Sequence, residues 1–266
     1  MKKAIFFDID GTILDKEHGI SEITPRVQKA MKNLQAAGNY IFIATGRPYT
    51  FMQKDILNFG FDGFVMSNGA LVMLGDEIIS KICLDNKSIK KLCDFAESKN
   101  IEYMLEGYLE TYWKKNFSTC ESFFKKIGVD YSKFITDFDI EKISVLKLEF
   151  ISSRKDLEQL EIDYKKILEE PGFTGWADPF HFKTMEVYSD KVSKASGILK
   201  VLEHLNIDIK NSYAFGDGYN DIEMIQTVGN GFVMATAKED LKKFATEIVP
   251  SVHDDGVAFG IEKFIL

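Results

Sequence analysis

"AIFFDIDGTILD", residues 4–15, sets an unbroken apolar run against two carboxylates, Asp8 and Asp10, two positions apart. An apolar run that stops at a charged, glycine-containing turn reads as a short buried strand, here over residues 3–7. A strand without polar alternation belongs in a parallel sheet covered on both faces. Two like charges at the end of such a strand repel each other, so a bound cation or ligand is expected beside them.

Working outward, the same grammar repeats. Residues 25–36 carry the spacing of an amphipathic helix that ends before Gly38. A strand is expected at 40–44, a helix at 49–57 and a strand at 64–66. Late in the chain a helix over 196–205, with Ile198, Val201, Leu202 and Leu205 on one stripe, precedes a strand at 212–215. A helix at 221–227, a strand at 231–234 and a last helix from about 256 to 264 follow. This βαβ alternation predicts an α/β fold, a doubly wound parallel sheet built from residues 1–83 and 188–266.

The middle differs. Residues 84–187 read as an inserted α+β domain, with helices at 87–98, 118–126 and 155–169 and longer strands at 142–151 and 181–188. Cys93 shares a helical stripe with Ile89, Leu92 and Ala96, which points to core packing. Trp113, Trp176, His181 and Lys183 are expected mainly to fill the insert's core or face solvent, with ligand contact the less favoured role.

The 266 residues carry 33 Lys and Arg against 41 Asp and Glu, a formal net charge of −8, and are 45% hydrophobic. That suits a globular protein with a sizeable core. No basic cluster marks a nucleic-acid surface and no apolar run approaches a membrane span, so a cytoplasmic location is expected. Cys83, Cys93 and Cys120 are scattered without metal-ligand spacing. His18, His181, His204 and His253 form no HExxH or Cys/His cluster, so a zinc site is not expected and structural or surface roles are assigned to each.

In a doubly wound sheet, chemistry gathers where strands end. The first strand ends in Asp8-Ile-Asp10-Gly11-Thr12, the second in Thr45-Gly46-Arg47 and the late one in Gly216-Asp217-Gly218-Tyr219-Asn220-Asp221. Lys194 stands at the start of the 196–205 helix, where a cation opposes the helix dipole unless an anion is bound there. Oxygen ligands from Asp8, Asp10 and Asp217 suit Mg²⁺ rather than zinc. Gly216-Asp-Gly218 is no dinucleotide fingerprint, because Asp221 occupies the third glycine position. Neither a P-loop nor a GxSxG elbow is present.

These motifs, DIDGT at 8–12, ATGR at 44–47, SNGA at 67–70, Lys194, GDGYND at 216–221 and DGVAFGI at 255–261, resemble those of the haloacid dehalogenase superfamily, specifically its Cof-type phosphatases with a type-IIB cap. The match runs the length of the chain. One departure follows Met234, where Ala235-Thr236-Ala237 stands in place of a small residue, Asn or Gln, then Ala.

The resemblance implies that Asp8 attacks phosphorus to form an aspartyl-phosphate that water hydrolyses. Asp10 would act as general acid and then base. Asp8, the Asp10 backbone carbonyl and Asp217 would hold Mg²⁺. Thr45, Gly46, Lys194 and Asn220 would bind phosphoryl oxygens, Asp221 would support Lys194 and the metal, and Arg47 and Asn68 would face the substrate. Asp10 favours phosphoryl transfer, since superfamily members that cleave carbon–halogen bonds lack it. The expected activity is Mg²⁺-dependent hydrolysis of a small phosphorylated metabolite, a sugar phosphate or a phosphorylated cofactor. A sugar phosphomutase and a phospho-ligand sensor with little turnover are the alternatives.

Overall fold

The computed structural model describes residues 2–178 and 183–266. The chain divides into two compact units, one formed by 1–46, 53–80 and 192–266, the other by 47–52 and 81–191.

In the first unit, strands numbered in chain order build one eight-stranded sheet. They are β1 (Ala4–Phe7), β2 (Tyr40–Ala44), β3 (Gly63–Met66), β4 (Leu71–Leu74), β5 (Glu77–Lys81), β11 (Ser212–Gly216), β12 (Asn230–Met234) and β13 (Glu247–Val249). Their order is β13-β12-β11-β1-β2-β3-β4-β5. β13, β12, β11, β1, β2 and β3 run parallel, and β4 turns back antiparallel on β3. From β1 the chain winds outward through β2 and β3 in one direction, then returns to β11 and winds the other way. The boundary between β1 and β11 is therefore the topological switch point, where α/β sheets open a crevice.

Both faces of this sheet are apolar, as the unbroken run at β1 requires. Ala4, Phe6, Phe42, Val65 and Ala214 pack with Ile198, Val201 and Leu202 of α6 (Lys194–Leu205). Phe7 stacks on Phe215 with centroids 5.3 Å apart, and Phe232 packs tilted against Phe215 at 4.8 Å. Thr24 caps α1 (Pro25–Ala36) by accepting from the Val27 N–H, Pro25 sits in its first turn, and Val27, Ala30, Met31 and Leu34 are buried.

The second unit is a five-stranded sheet in the order β7-β6-β8-β10-β9, whose documented pairings are all antiparallel. Its strands are β6 (Glu102–Glu106), β7 (Thr111–Trp113), β8 (Lys147–Ile151), β9 (Phe173–Asp178) and β10 (Thr184–Ser189). Alternation along the strands divides its side chains. Tyr103, Leu105, Leu148, Phe150, Met185 and Val187 share one core with α3 (Asn86–Ser98), α4 (Ser118–Ile127) and α5 (Leu157–Leu168), and Cys93 is buried among them. Trp113 is buried, whereas Trp176 on the outermost strand is half exposed.

Several expectations are corrected. The helix expected at 49–57 breaks into a 3₁₀ turn (Tyr49–Phe51), extended backbone at Met52 and Gln53, and a short α2 (Lys54–Asn58), at the place where the chain passes from one unit to the other. The strand expected at 142–151 starts only at Lys147, after a 3₁₀ turn (Ile140–Lys142) begun by the Asp139 side chain. The strand expected at 181–188 begins at Thr184, and His181 lies outside the described residues. The last helix is α-helical only over Gly256–Gly260 and continues as a π turn (Ile261–Ile265). No helix among the described residues is long and apolar enough to cross a membrane.

The other face of the second sheet carries charge. Glu106 lies opposite Lys147, and Glu149 opposite Glu186. Lys147 Nζ donates to Glu186 at 2.8 Å and stands 3.3 Å from Glu106 Oε2, and Glu106, Lys147 and Glu149 are all buried. Neither Glu106 oxygen accepts a well-aligned hydrogen bond among the described residues, so Lys147 is its main compensation. Burial pushes the Glu149 carboxyl up to about 7 from an ordinary 4.5, with Lys147 pulling against it and Glu186 adding to it. Because the folded chain holds that proton more tightly than the unfolded one, Glu149 lowers stability progressively between pH 4.5 and about 7, and fully above. Lys147→Met removes the compensating charge while keeping most of the volume. It should destabilise the fold by about 3–5 kcal/mol at pH 8, and by much less at pH 5, where the carboxylates can be neutral; urea unfolding of both proteins at the two pH values measures this.

Candidate active site

Four adjacent parallel strands, β11, β1, β2 and β3, deliver the candidate residues. Asp217 follows β11, Asp8 follows β1, Thr45 follows β2, and Ser67 and Asn68 follow β3. Asp8 stays in the ladder, its N–H donating to Phe215 O at 3.0 Å, so its carboxylate is set at the switch point by the sheet itself.

Lys194 joins these strands to the helix layer. It opens α6 behind a capping box in which the Ser193 hydroxyl accepts from the Ser196 N–H and the Ser196 hydroxyl from the Ser193 N–H. Its ammonium is fully buried and donates to Asp8 Oδ1 at 2.7 Å and Asp221 Oδ1 at 2.6 Å. The approach depends on Gly69. A Cβ there would stand 2.1 Å from the Ser193 carbonyl oxygen, and its φ of +93° is one that residues with side chains rarely adopt.

Asp221 is spoken for. Its Oδ2 accepts from the Asp217 and Gly218 N–H groups at 2.9 and 2.8 Å, and its Oδ1 from Lys194. It therefore shapes the loop that presents Asp217 and fixes Lys194. Thr12, buried two residues beyond Asp10, donates to Asp217 Oδ1 at 2.7 Å. Gly11 lets the two loops meet: a Cβ there would be 2.0 Å from Asp217 Oδ2, and its φ is +79°.

The electrostatics are those of an acidic centre with too little positive charge. Ligand oxygens of Asp8, Asp217 and Asp221 lie within 4.8 Å of one another. Burial raises the Asp8 carboxyl well above the usual carboxylate range; Asp221, Asp217 and Asp10 raise it further, and Lys194 opposes them. Burial likewise pushes Asp217 up to about 7, against its hydrogen bond from Thr12. Burial alone would favour a neutral Lys194, but Asp221 and Asp8 outweigh it and hold the ammonium charged. With three carboxylates around one ammonium and only oxygen donors, the residues present fit a hard divalent cation such as Mg²⁺. Asp10 is exposed and pairs with Leu14 in an isolated bridge, near enough for its charge to act on Asp8 and Asp217.

The facing wall is strained. Ser67 and Asn68 are buried with φ of +48° and +55°, in the left-handed region. Non-glycine residues held there cost of order 1–3 kcal/mol each, and Ser67 Oγ has no hydrogen-bond partner among the described residues. Asn68 is fixed by its N–H donating to Thr45 O at 3.2 Å and its Oδ1 accepting from Asn220 Nδ2 at 3.3 Å. A Cβ on Gly46 would lie 3.0 Å from Asn68 Oδ1 and 3.4 Å from Asn220 Nδ2, so Thr45, Gly46, Asn68 and Asn220 form one cluster. Arg47 belongs to the other compact unit, where its guanidinium donates to Phe51 O at 3.3 Å.

Of the residues singled out in the sequence, the structure gathers Asp8, Asp10, Asp217, Asp221 and Lys194 on one side and Thr45, Gly46, Asn68 and Asn220 on the other. Thr12 and Ser67 join the site through the structure alone. Thr12 was visible within the DIDGT run, whereas the backbone of Ser67 leaves no trace in composition.

Residues 5–261 match the family model described as haloacid dehalogenase-like hydrolase. The chain is 32% identical over 268 residues to "Putative phosphatase YkrA" of Bacillus subtilis (strain 168), covering 98% of this chain and 97% of that protein. The solved structure of the HAD subclass IIB sugar phosphatase BT4131 superposes with a TM-score of 0.82 at 27% identity over 99% of each chain. A hypothetical protein of Geobacillus kaustophilus HTA426 gives 0.85 at 26% identity, over 99% of this chain and 98% of its own. With its carboxylates at the switch point and its sequence matched almost end to end, this chain belongs to the haloacid dehalogenase-like hydrolases, among their phosphatases.

Proposed function

We propose that the protein hydrolyses small phosphate monoesters in two steps, with Asp8 as nucleophile and Mg²⁺ as cofactor. The observation that carries this reading is Lys194, a buried ammonium bridging Asp8 and Asp221 beside Asp217. Mg²⁺ held by Asp8, Asp217 and the Asp10 backbone carbonyl would neutralise charge on the phosphate and the nucleophile.

The chain's own groups do the rest. Asp8, fixed in the ladder, attacks phosphorus in line and leaves an aspartyl-phosphate. Asp10 protonates the departing alkoxide and then takes a proton from the water that attacks the acyl phosphate. Lys194, Thr45, the Gly46 backbone and Asn220 hold the transferring oxygens, and Asn68 faces the remainder of the substrate. Asp221 positions Lys194. The inserted domain, residues 84–187, corresponds to the cap that the resemblance implies. The likeness to a subclass IIB sugar phosphatase supports sugar phosphates as the substrate class.

The test is phosphate release from sugar phosphates, flavin mononucleotide, pyridoxal phosphate and p-nitrophenyl phosphate, with and without Mg²⁺. Isomerised sugar phosphate without free phosphate would identify a mutase instead. Asp8→Asn should abolish Mg²⁺-dependent release, with circular dichroism checking that the variant is folded. Asp10→Asn should slow release from alkyl phosphates about 10²- to 10⁴-fold and from p-nitrophenyl phosphate far less, because that leaving group departs without a proton. Thr12→Val, which frees Asp217 Oδ1, should raise the Mg²⁺ concentration for half-maximal rate about 10- to 100-fold, measured by metal titration at saturating substrate.

A further inference from the structure

Away from this centre, the first unit brings together two histidines and an aspartate from opposite ends of the chain. Asp15 stands in the turn after β1, His18 in the 3₁₀ turn (Lys16–His18) that Asp15 caps, and His253 in the 3₁₀ turn (Val252–Asp254) before Gly256. His18 Nδ1 lies 2.9 Å from Asp15 Oδ1 and 3.0 Å from Oδ2, and His253 Nε2 lies 3.1 Å from the same Oδ2. One atom from each residue falls within 4.8 Å of the other two.

These separations are close to those of a coordination shell. Zinc bound tetrahedrally at about 2.0–2.1 Å spaces its ligand atoms about 3.3 Å apart. Two of the three edges here, Asp15 Oδ2 to His18 Nδ1 and Asp15 Oδ2 to His253 Nε2, are already within a few tenths of an ångström of that. The third, between the two imidazole nitrogens, is within 4.8 Å, and the His18 side chain is 71% exposed, which leaves its ring room to turn toward the ion. The backbone presents the ligands from fixed turns. Asp15 and Ile20 exchange N–H···O bonds of 2.8 Å in both directions. The His253 turn is closed by Ser251 Oγ donating to Asp254 Oδ2 at 2.6 Å and by the Asp254 N–H donating to Ser251 O at 3.0 Å.

We propose that Asp15, His18 and His253 form a second metal site, selective for a borderline divalent cation such as Zn²⁺, with water completing the shell. Two imidazoles and one carboxylate suit zinc, nickel or copper and not magnesium, whereas the all-oxygen set at Asp8 and Asp217 has the opposite preference. Each imidazole would bind the ion through the lone pair of the nitrogen that faces Asp15, with its one N–H carried on the other ring nitrogen. It clips the turn that follows Asp8 and Asp10 to the segment before α9 (Gly256–Gly260).

The test is equilibrium dialysis of metal-free full-length protein against ZnCl₂ in excess Mg²⁺, with bound metal measured by elemental analysis. The wild type and the Asp8→Asn/Asp217→Asn variant should each hold one zinc per chain at this site. His18→Gln/His253→Gln should bind it at least about tenfold more weakly while hydrolysing substrate in Mg²⁺ at the wild-type rate. Zinc retained by the histidine variant, or no zinc taken up by the wild type, overturns the proposal. An independent measurement needs no substitution. Zinc added to the wild type should shift the imidazole proton resonances of two of the four histidines, His18 and His253, and leave His181 and His204 in place; movement of all four, or of neither of the first two, overturns it as well.

Discussion

A single buried ammonium organises the first unit. The Lys194 side chain has no exposed surface, and a charge in that position is tolerable only because Asp8 and Asp221 both accept from it. The converse holds for Asp8, which burial and three neighbouring carboxylates push toward neutrality and which Lys194 steadies. Much else follows from keeping these groups in contact. The helix that carries Lys194 must lie hard against the turn after β3, so position 69 has no room for a side chain. The Asp217 loop must fold back on Asp221, so Asp221 spends its second oxygen on two backbone N–H groups.

The first unit was largely legible because its strands are buried on both faces and its helices on one. The bounds of α1 and β2 coincide with those that apolar spacing, Pro25 and Gly38 suggest. The helix expected over 49–57 failed for a different reason. Local periodicity cannot show that the chain changes units near Met52, where an extended residue interrupts the helix. In the inserted unit, strands β6, β7 and β9 went unseen because one face of their sheet is neither apolar nor solvated. Glu106, Lys147 and Glu149 are buried charged residues on a sheet face, with Lys147 offsetting its carboxylate neighbours only in part, which disguises both the strand pattern and the core.

The candidate site divides in the same way. Residues that announce themselves by charge, Asp8 and Asp217 at strand ends and Lys194 at a helix start, were readable. Asn68 and Gly46 were readable only through resemblance, since an amide and a glycine after a strand have many ordinary uses. The strain at Ser67, and the meeting of Asp15 with His253 from near the other end of the chain, are properties of tertiary structure and have no local signature. Position in the fold converts commonplace residues into chemistry.

The pairing of β1 with β11 also bears on how the protein comes into being. Ala4 lies opposite Ser212, so the central strand lacks one of its two neighbours until most of the chain has left the ribosome. The strands and helices at 81–191 have all their partners within one nearly contiguous stretch and can close much earlier. During synthesis, therefore, the inserted unit is the natural first folding body, and β1, β2 and β3 wait with an unpaired apolar edge. The interval before β11 emerges is the time in a molecule's life when it is most exposed to aggregation and most in need of a chaperone.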